Sequence, residues 1–233
     1  MAGTVQAATT VATIGDSFAD SIYLGMLSRP DLLKRDGLAL SRWSRPVIGL
    51  SRDDYFDYPE FLRGAGVAEF CVVQIGTNDM QAIPASQAGR WIAYGIDLWK
   101  SSYTDRVRKV VRILQNGHCG DVLWILQPGF EKQPYLARNR GLINELQTTA
   151  LKTAFIPVFA TATKGSEYSG DGMHYNHEFA LEIGGAVERA ILLARQVRQS
   201  RCPACHGAGI VRRVLSRQNL QPLMLPSVEP ISP

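Results

Sequence analysis

The sequence has no run of eighteen consecutive apolar residues, and charged side chains interrupt every candidate segment, so no membrane-spanning helix is expected. The first residues, MAGTVQAATTVATIGDS, lack a basic segment followed by a long apolar stretch, and no secretory signal is legible. The expectation is a soluble chain, cytoplasmic if complete and periplasmic or secreted if a signal peptide has been removed. Charge of one sign is also scarce: 25 Lys and Arg against 21 Asp and Glu give a formal net charge of +4. Arginine-rich patches occur at Arg106, Arg108, Lys109 and Arg112 and again at Arg195, Arg198, Arg201, Arg212 and Arg213. No nucleic-acid recognition motif accompanies them, which sets a nucleic-acid partner aside and leaves attraction of an anionic substrate or surface. Cysteine is sparse, at four residues, and only Cys202 and Cys205 are close in sequence. Cys71 lies in an apolar run and reads as a buried thiol, whereas Cys119 sits in the turn-like segment NGHCGD.

What is present suits one well-buried domain. With 233 residues, 45% hydrophobic and 20% charged, the chain is long enough for one core and short for two. TTVATIG (9 to 15) is β-rich and ends at a glycine, and residues 18 to 28 read as a helix closed by Arg29-Pro30. LALSRW is a possible short strand, and AEFCVVQIG (68 to 76) is the clearest strand of the sequence. Residues 84 to 100 read as an irregular polar and aromatic excursion. TDRVRKVVRILQNG is an amphipathic helix with Val107, Val110, Val111 and Leu114 on one side, and DVLWILQPG is another buried strand. A helix over 138 to 152, a shorter strand in FIPVFATAT and a long helix after Asn176, which can cap it, complete the pattern. Alternation of this kind predicts a three-layer α/β/α sandwich with a mainly parallel sheet of about four or five strands. The domain is expected over residues 1 to 200, with a cysteine-containing, proline-rich tail from 201 to 233.

Three short segments at three strand ends carry chemistry. Asp16 and Ser17 in GDS stand between a strand and a helix, where free backbone N–H groups can stabilise an oxyanion; alternatively Ser17 only caps the helix. In GTND, Gly76 permits close backbone approach, Asn78 can donate a side-chain N–H to the same developing charge, and Asp79 can organise the loop or contact substrate, or the segment is only an Asx-turn. In DGMH, Asp171 and His174 are close enough to pair, as a base held in one tautomer by a carboxylate requires, or Asp171 only caps a turn and His174 is an ordinary surface histidine. Gly49, in IGLSRDD, offers a further flexible backbone site or is only a turn.

GDS around Ser17, Gly49 in GLSRDDYFDYP, GTND and DGMH together resemble, in order, the four blocks of the SGNH (GDSL-like) hydrolases, with the Gly49 stretch similar to a bacterial branch of poorly defined function. The resemblance spans residues 11 to about 195 and implies an SGNH-hydrolase-like fold. It further implies that Ser17 attacks an acyl carbonyl, His174 moves its proton, Asp171 orients His174, and Ser17 N–H, Gly49 N–H and the Asn78 side chain form the oxyanion hole. An acyl-serine ester hydrolase needing no metal or organic cofactor follows from it. The lean within that class is removal of a small acyl group, such as acetyl, from a glycan ester, with lysophospholipase or thioesterase activity as the alternative.

Tyr55, Phe56, Tyr58, Trp91, Trp99 and Tyr175 are candidates for an aromatic rim that stacks on sugar, or they pack the core. Tyr55, Phe56, Tyr175 and Asp79 are the candidate substrate contacts. Residues between Pro157 and Asp171 are few, which points to a minimal last loop and to specificity set by the 80 to 100 excursion. In the tail, Cys202, Cys205 and His206 offer an incomplete zinc site. The same letters fit a c-type haem attachment with His206 and Met224 as axial ligands, a redox pair, or unligated thiols. Two other classes compete: an inactive carbohydrate-binding or scaffold protein, and a metal-dependent hydrolase using Asp16, Asp79, Asp171 and His174.

Overall fold

The computed structural model describes residues 8–51, 58–64, 66–85, 90–130, 132–154, 156, 158–159 and 168–201. Strand β1 (Thr9–Gly15) buries Val11, Ala12 and Ile14 completely, because helices cover both of its faces. It runs parallel to β2 (Leu38–Ser44) on one side and to β3 (Ala68–Gln74) on the other, with Gly15 level with Ser44 and with Gln74. Strands β6 (Cys119–Ile125) and β7 (Val158–Phe159) continue the parallel sheet in the order β2-β1-β3-β6-β7, and β4 (Ile83–Pro84) and β5 (Trp91–Ile92) form a small antiparallel pair.

Helices α1 (Ser17–Leu27) and α6 (His177–Arg201) pack on each other, as do α4 (Asp97–Ile113) and α5 (Pro134–Thr153), with the short α3 (Tyr58–Gly64) against α4, and these pairs form the outer layers of a three-layer α/β/α sandwich. Between α1 and α6 the backbones are close enough that a Cβ at Gly25 would overlap the Ala180 carbonyl, and one at Gly184 would stand 2.7 Å from Gly25 C and Met26 N. The chain leaves β1 toward one edge of the sheet and returns through β3 toward the other. The carboxyl ends of β1 and β3 therefore flank the point where strand order reverses, the place where ligands bind in open parallel sheets.

Several boundaries differ from the sequence expectation. The possible strand LALSRW is a full edge strand, preceded by an unanticipated helix α2 (Pro30–Asp36), which Pro30 starts and Gly37, at φ 64°, ends. The excursion expected over 84 to 100 contains the end of β4, all of β5 and the first turn of α4. That helix begins at Asp97 because Trp99 and Tyr103 are fully buried core residues. Asn176 caps α6 by accepting from the Phe179 amide at 2.8 Å. Cys71 is not a free thiol: it is joined to Cys119 in a disulfide, the apolar run and the turn-like segment having been brought side by side as neighbouring strands β3 and β6. Among the described residues no helix is long and apolar enough to cross a membrane. Apart from Arg201 at the end of α6, the expected tail lies outside the described residues, and with it Cys202, Cys205, His206 and Met224.

Candidate active site

β1 ends at Gly15, whose φ of 145° and whose position against the Gln74 carbonyl leave no room for a side chain. The chain then turns directly into α1. Asp16, not Ser17, is the cap: its Oδ1 accepts from the Phe18 amide at 3.0 Å. Ser17 is thereby the first residue of the helix, and its own amide is among the first-turn N–H groups that have no partner within the helix.

The loop before α6 brings the base to this serine across 157 residues of sequence. His174 Nε2 lies 3.0 Å from Ser17 Oγ, and His174 Nδ1 lies 2.6 Å from Asp171 Oδ2. The other Asp171 oxygen, Oδ1, accepts from Ser169 Oγ at 2.6 Å, the Met173 amide at 2.9 Å and the His174 amide at 3.0 Å. Partial burial works against charge on Asp171, but the hydrogen bonds from His174, Ser169 and the two amides outweigh it and hold the carboxyl well below the usual carboxylate range. An ionised Asp171 fixes the proton of the neutral imidazole on Nδ1 and leaves Nε2 as the acceptor facing Ser17. The Phe18 ring stacks on the His174 ring, with centroids 5.8 Å apart and planes inclined by 26°, and so limits rotation of the imidazole.

The second wall is the turn after β3. Gly76, at φ 141°, has Gln127 Nε2 and Gln147 Nε2 2.9 Å from where a Cβ would be, so only glycine fits there. A short helical turn, Thr77–Asp79, follows. Asn78 Nδ2 donates to the Ile48 carbonyl at 3.0 Å, which ties this turn to the segment carrying Gly49. Arg106 of α4 donates to the Leu50 carbonyl at 2.9 Å and holds the same segment from behind. Beside Asn78 a cavity of about 220 Å³ is lined by Val47, Thr77, Met80, Gln81, Tyr135 and Leu136 as well as Asn78 itself. Val47, at its rim, has a φ of 68°, a costly value for a β-branched residue and one found where surrounding structure dictates the backbone.

Three expected contacts are placed elsewhere. Asp79 is fully buried and accepts from the Ser51 amide at 2.8 Å and from Tyr103 Oη at 3.0 Å, so it is not a substrate contact. A Cβ at Gly49 would run into the Asp79 carboxylate, which is why glycine stands there. Tyr175 is 6% exposed, packs edge-on against Phe18 and receives a hydrogen bond from Gln74 Nε2 at 3.0 Å. Trp99 is stacked on Tyr103 in the core with its Nε1 bonded to the Gln81 carbonyl, whereas Trp91 is exposed. Tyr55, Phe56 and the side chain of Tyr58 lie outside the described residues. Among the described residues no group of His, Cys, Asp and Glu is arranged to hold a metal ion, as the metal alternative would need. Asp16 and Asp79 are turned to N–H and O–H groups, and His174 uses both ring nitrogens on Ser17 and Asp171. The sequence reading missed the ring of Phe18, the hydroxyl of Ser169 and the buried phenol of Tyr103. Only Ser169, two residues before Asp171 in a polar loop, left a local signal.

A family model described as protein of unknown function (DUF459) matches residues 10–178. The chain belongs to the DUF459 family. Residues 10–178 of this DUF459 protein hold Ser17, Asn78, Asp171 and His174. No curated protein matches the chain in sequence. Among solved structures, it is similar to LAE5, an α/β hydrolase enzyme from the metagenome of Lake Arreo, with a TM-score of 0.58 and 11% identity over 82% of this chain and 98% of that one. It is also similar to Est24, a carbohydrate acetylesterase from Sinorhizobium meliloti (TM-score 0.54, 16% identity, 79% and 99% coverage). A third is Axe2, an acetylxylan esterase from Geobacillus stearothermophilus (TM-score 0.56, 14% identity, 80% and 95% coverage). At these identities the likeness establishes the fold alone, a sandwich of the kind found in esterases and hydrolases. The resemblance to SGNH hydrolases is corrected accordingly. The family model matched is DUF459, and the similar structures support an α/β esterase or hydrolase fold without singling out that narrower family.

Proposed function

We propose that this DUF459 protein hydrolyses carboxylic esters through a serine nucleophile. The observation that carries the reading is the unbroken chain from Ser17 Oγ to His174 Nε2 at 3.0 Å and from His174 Nδ1 to Asp171 Oδ2 at 2.6 Å. In this mechanism His174 accepts the Ser17 proton as Oγ adds to the acyl carbonyl. The tetrahedral oxyanion is met by the Ser17 and Gly49 amides and by Asn78 Nδ2. Collapse expels the alcohol, which takes the proton from His174, and leaves an acyl-serine. Water, deprotonated by the same imidazole, releases the acid and returns the proton to Ser17. Asp171 stays ionised and stabilises the imidazolium formed in each half. No step requires a metal or organic cofactor.

The favoured substrate is a small acyl group, such as acetyl, on a carbohydrate. In its support, two of the similar folds are described as a carbohydrate acetylesterase and an acetylxylan esterase. The cavity beside Asn78 mixes polar Thr77 and Gln81 with apolar Met80 and Leu136, a lining suited to a sugar edge beside a short acyl group.

The test is hydrolysis of p-nitrophenyl acetate, butyrate and octanoate and of acetylated xylo-oligosaccharides by the purified chain and by Ser17→Ala, each with and without a chelator. Chelator-resistant turnover, greatest on acetyl esters and lowered by at least about 10³-fold in Ser17→Ala, is expected. Equal rates for the two proteins would sink the serine mechanism, and a preference for octanoate would sink the small-acyl assignment.

A further inference from the structure

Asp16 is fully buried next to the nucleophile, yet the proton relay does not use it. Its carboxylate is shared between two segments. Oδ1 accepts from the Phe18 amide at 3.0 Å, and Oδ2 accepts from the Gly76 and Thr77 amides, each at 3.2 Å. Its own amide donates to the Gln74 carbonyl at 3.2 Å. We propose that Asp16 is a positioning residue whose ionised carboxylate locks the Ser17 turn to the Asn78 turn, so that nucleophile and oxyanion donors hold a single geometry. Its consequence for catalysis rests on the ester-hydrolase reading above; the lock itself does not.

The donor inventory makes the charge necessary. Three N–H groups converge on two oxygens, which suits an acceptor-only carboxylate, whereas a carboxylic acid would turn its own O–H toward one of them. Burial opposes this and pushes the Asp16 pKa up to about 7; the Phe18 amide pulls it down, and the neighbouring Asp79 charge adds to the rise. The groups around Asp16 are Asp79 on the turn after β3, Tyr103 on α4, Arg106 on α4 acting on Asp79, and His174 with Asp171 across Ser17. Beside Gly76, whose amide is one of those bound to Asp16, stand the neutral Gln147 of α5 and Gln127, two residues past β6. Asp79 is bound in its turn to the Ser51 amide and Tyr103, so the lock extends to the segment that carries Gly49. Three loops are fastened through two buried carboxylates.

The experiment uses the full ¹⁵N-labelled chain. Amide shifts of Phe18, Gly76 and Thr77 are followed against pH in the wild type, His174→Ala and Asp16→Asn, with ester kinetics measured in parallel. The three amides are expected to titrate with one shared midpoint that survives in His174→Ala and is absent from Asp16→Asn, where an amide nitrogen replaces one acceptor. Asp16→Asn is expected to lose about 10- to 100-fold in kcat while KM changes by less than about threefold, since misaimed oxyanion donors weaken the transition state rather than the bound ester. The acid limb of its kcat/KM profile should also lose one proton. Independent midpoints at the three amides overturn the proposal, as does an Asp16→Asn protein that keeps kcat within about twofold and the wild-type acid limb. If Asp16→Asn does not fold, the wild-type and His174→Ala titrations decide by the same criterion. If the wild type hydrolyses no ester, the ester reading fails, and the shared midpoint alone then upholds or overturns the lock.

Discussion

Two kinds of aspartate meet at this site, and solvent separates them. Asp171, half exposed and surrounded by donors, is held ionised far below neutral pH, whereas Asp16 and Asp79, buried completely, are pushed up to about 7 and about 6. A carboxyl raised above its unfolded value near 3.8 binds its proton more tightly in the folded state, so folding is favoured as pH falls from the folded pKa toward the unfolded one. Lowering the pH from 8 to 5.5 is therefore expected to raise stability, by on the order of 2 kcal/mol from Asp16, while ester turnover falls. Asp171 does not interfere, because its stabilising charge is lost only well below that window. Urea midpoints and kcat/KM measured over the same pH range check this; stability and turnover falling together toward pH 5.5 would contradict it. At this scale the sequence was informative about which residues matter and less so about what they touch. Ser17, Asn78, Asp171 and His174 stood out because each follows a strand or precedes a helix in a polar turn. Asp79 stood out for the same reason and Tyr175 as an aromatic able to stack on sugar, and both are buried, since burial is decided by α1, α4 and neighbouring loops rather than by the local turn.

The elements were read best where one physical cause dominates. Apolar and β-branched runs marked β1, β3 and β6, and the N-cap of α6 and the turn at Gly15 followed from residue type. The start of α4 was missed because its first turns carry Ser101, Ser102 and Asp97, which look like loop, while Trp99 and Tyr103 hold it in the core. The α1–α6 contact was invisible for a related reason: a glycine inside a helix lowers its apparent propensity, and only the partner helix explains it. Gly25→Ala places a methyl group on the Ala180 carbonyl, and the helices must part. The expected cost is about 1–3 kcal/mol, seen as a lower urea midpoint with an unchanged slope. An unaltered midpoint would mean that the two helices can slide apart without strain.

Across the whole molecule the site exists only as a consequence of topology. Strands β1 and β3 are neighbours at the reversal of strand order, and the loop before α6 returns to them after more than 150 residues. Short-range patterns gave the layers and the parallel sheet, but strand order and the pairing of α1 with α6 are long-range facts that no local signal encodes. No part of this arrangement can be active alone. Loss of ester turnover in urea should therefore follow the same curve as loss of far-ultraviolet circular dichroism, and turnover lost at clearly lower urea would show that the site opens before the sheet does. The close passage of α1 over α6 matters here too. Ser17 opens α1, His174 precedes α6, and Gly25 and Gly184 touch about two turns along their helices. The helix pair works like tongs pinned at the glycines, with nucleophile and base at the tips. A methyl group at the pin, remote from any substrate, would thus reach the chemistry as a widened gap between the jaws.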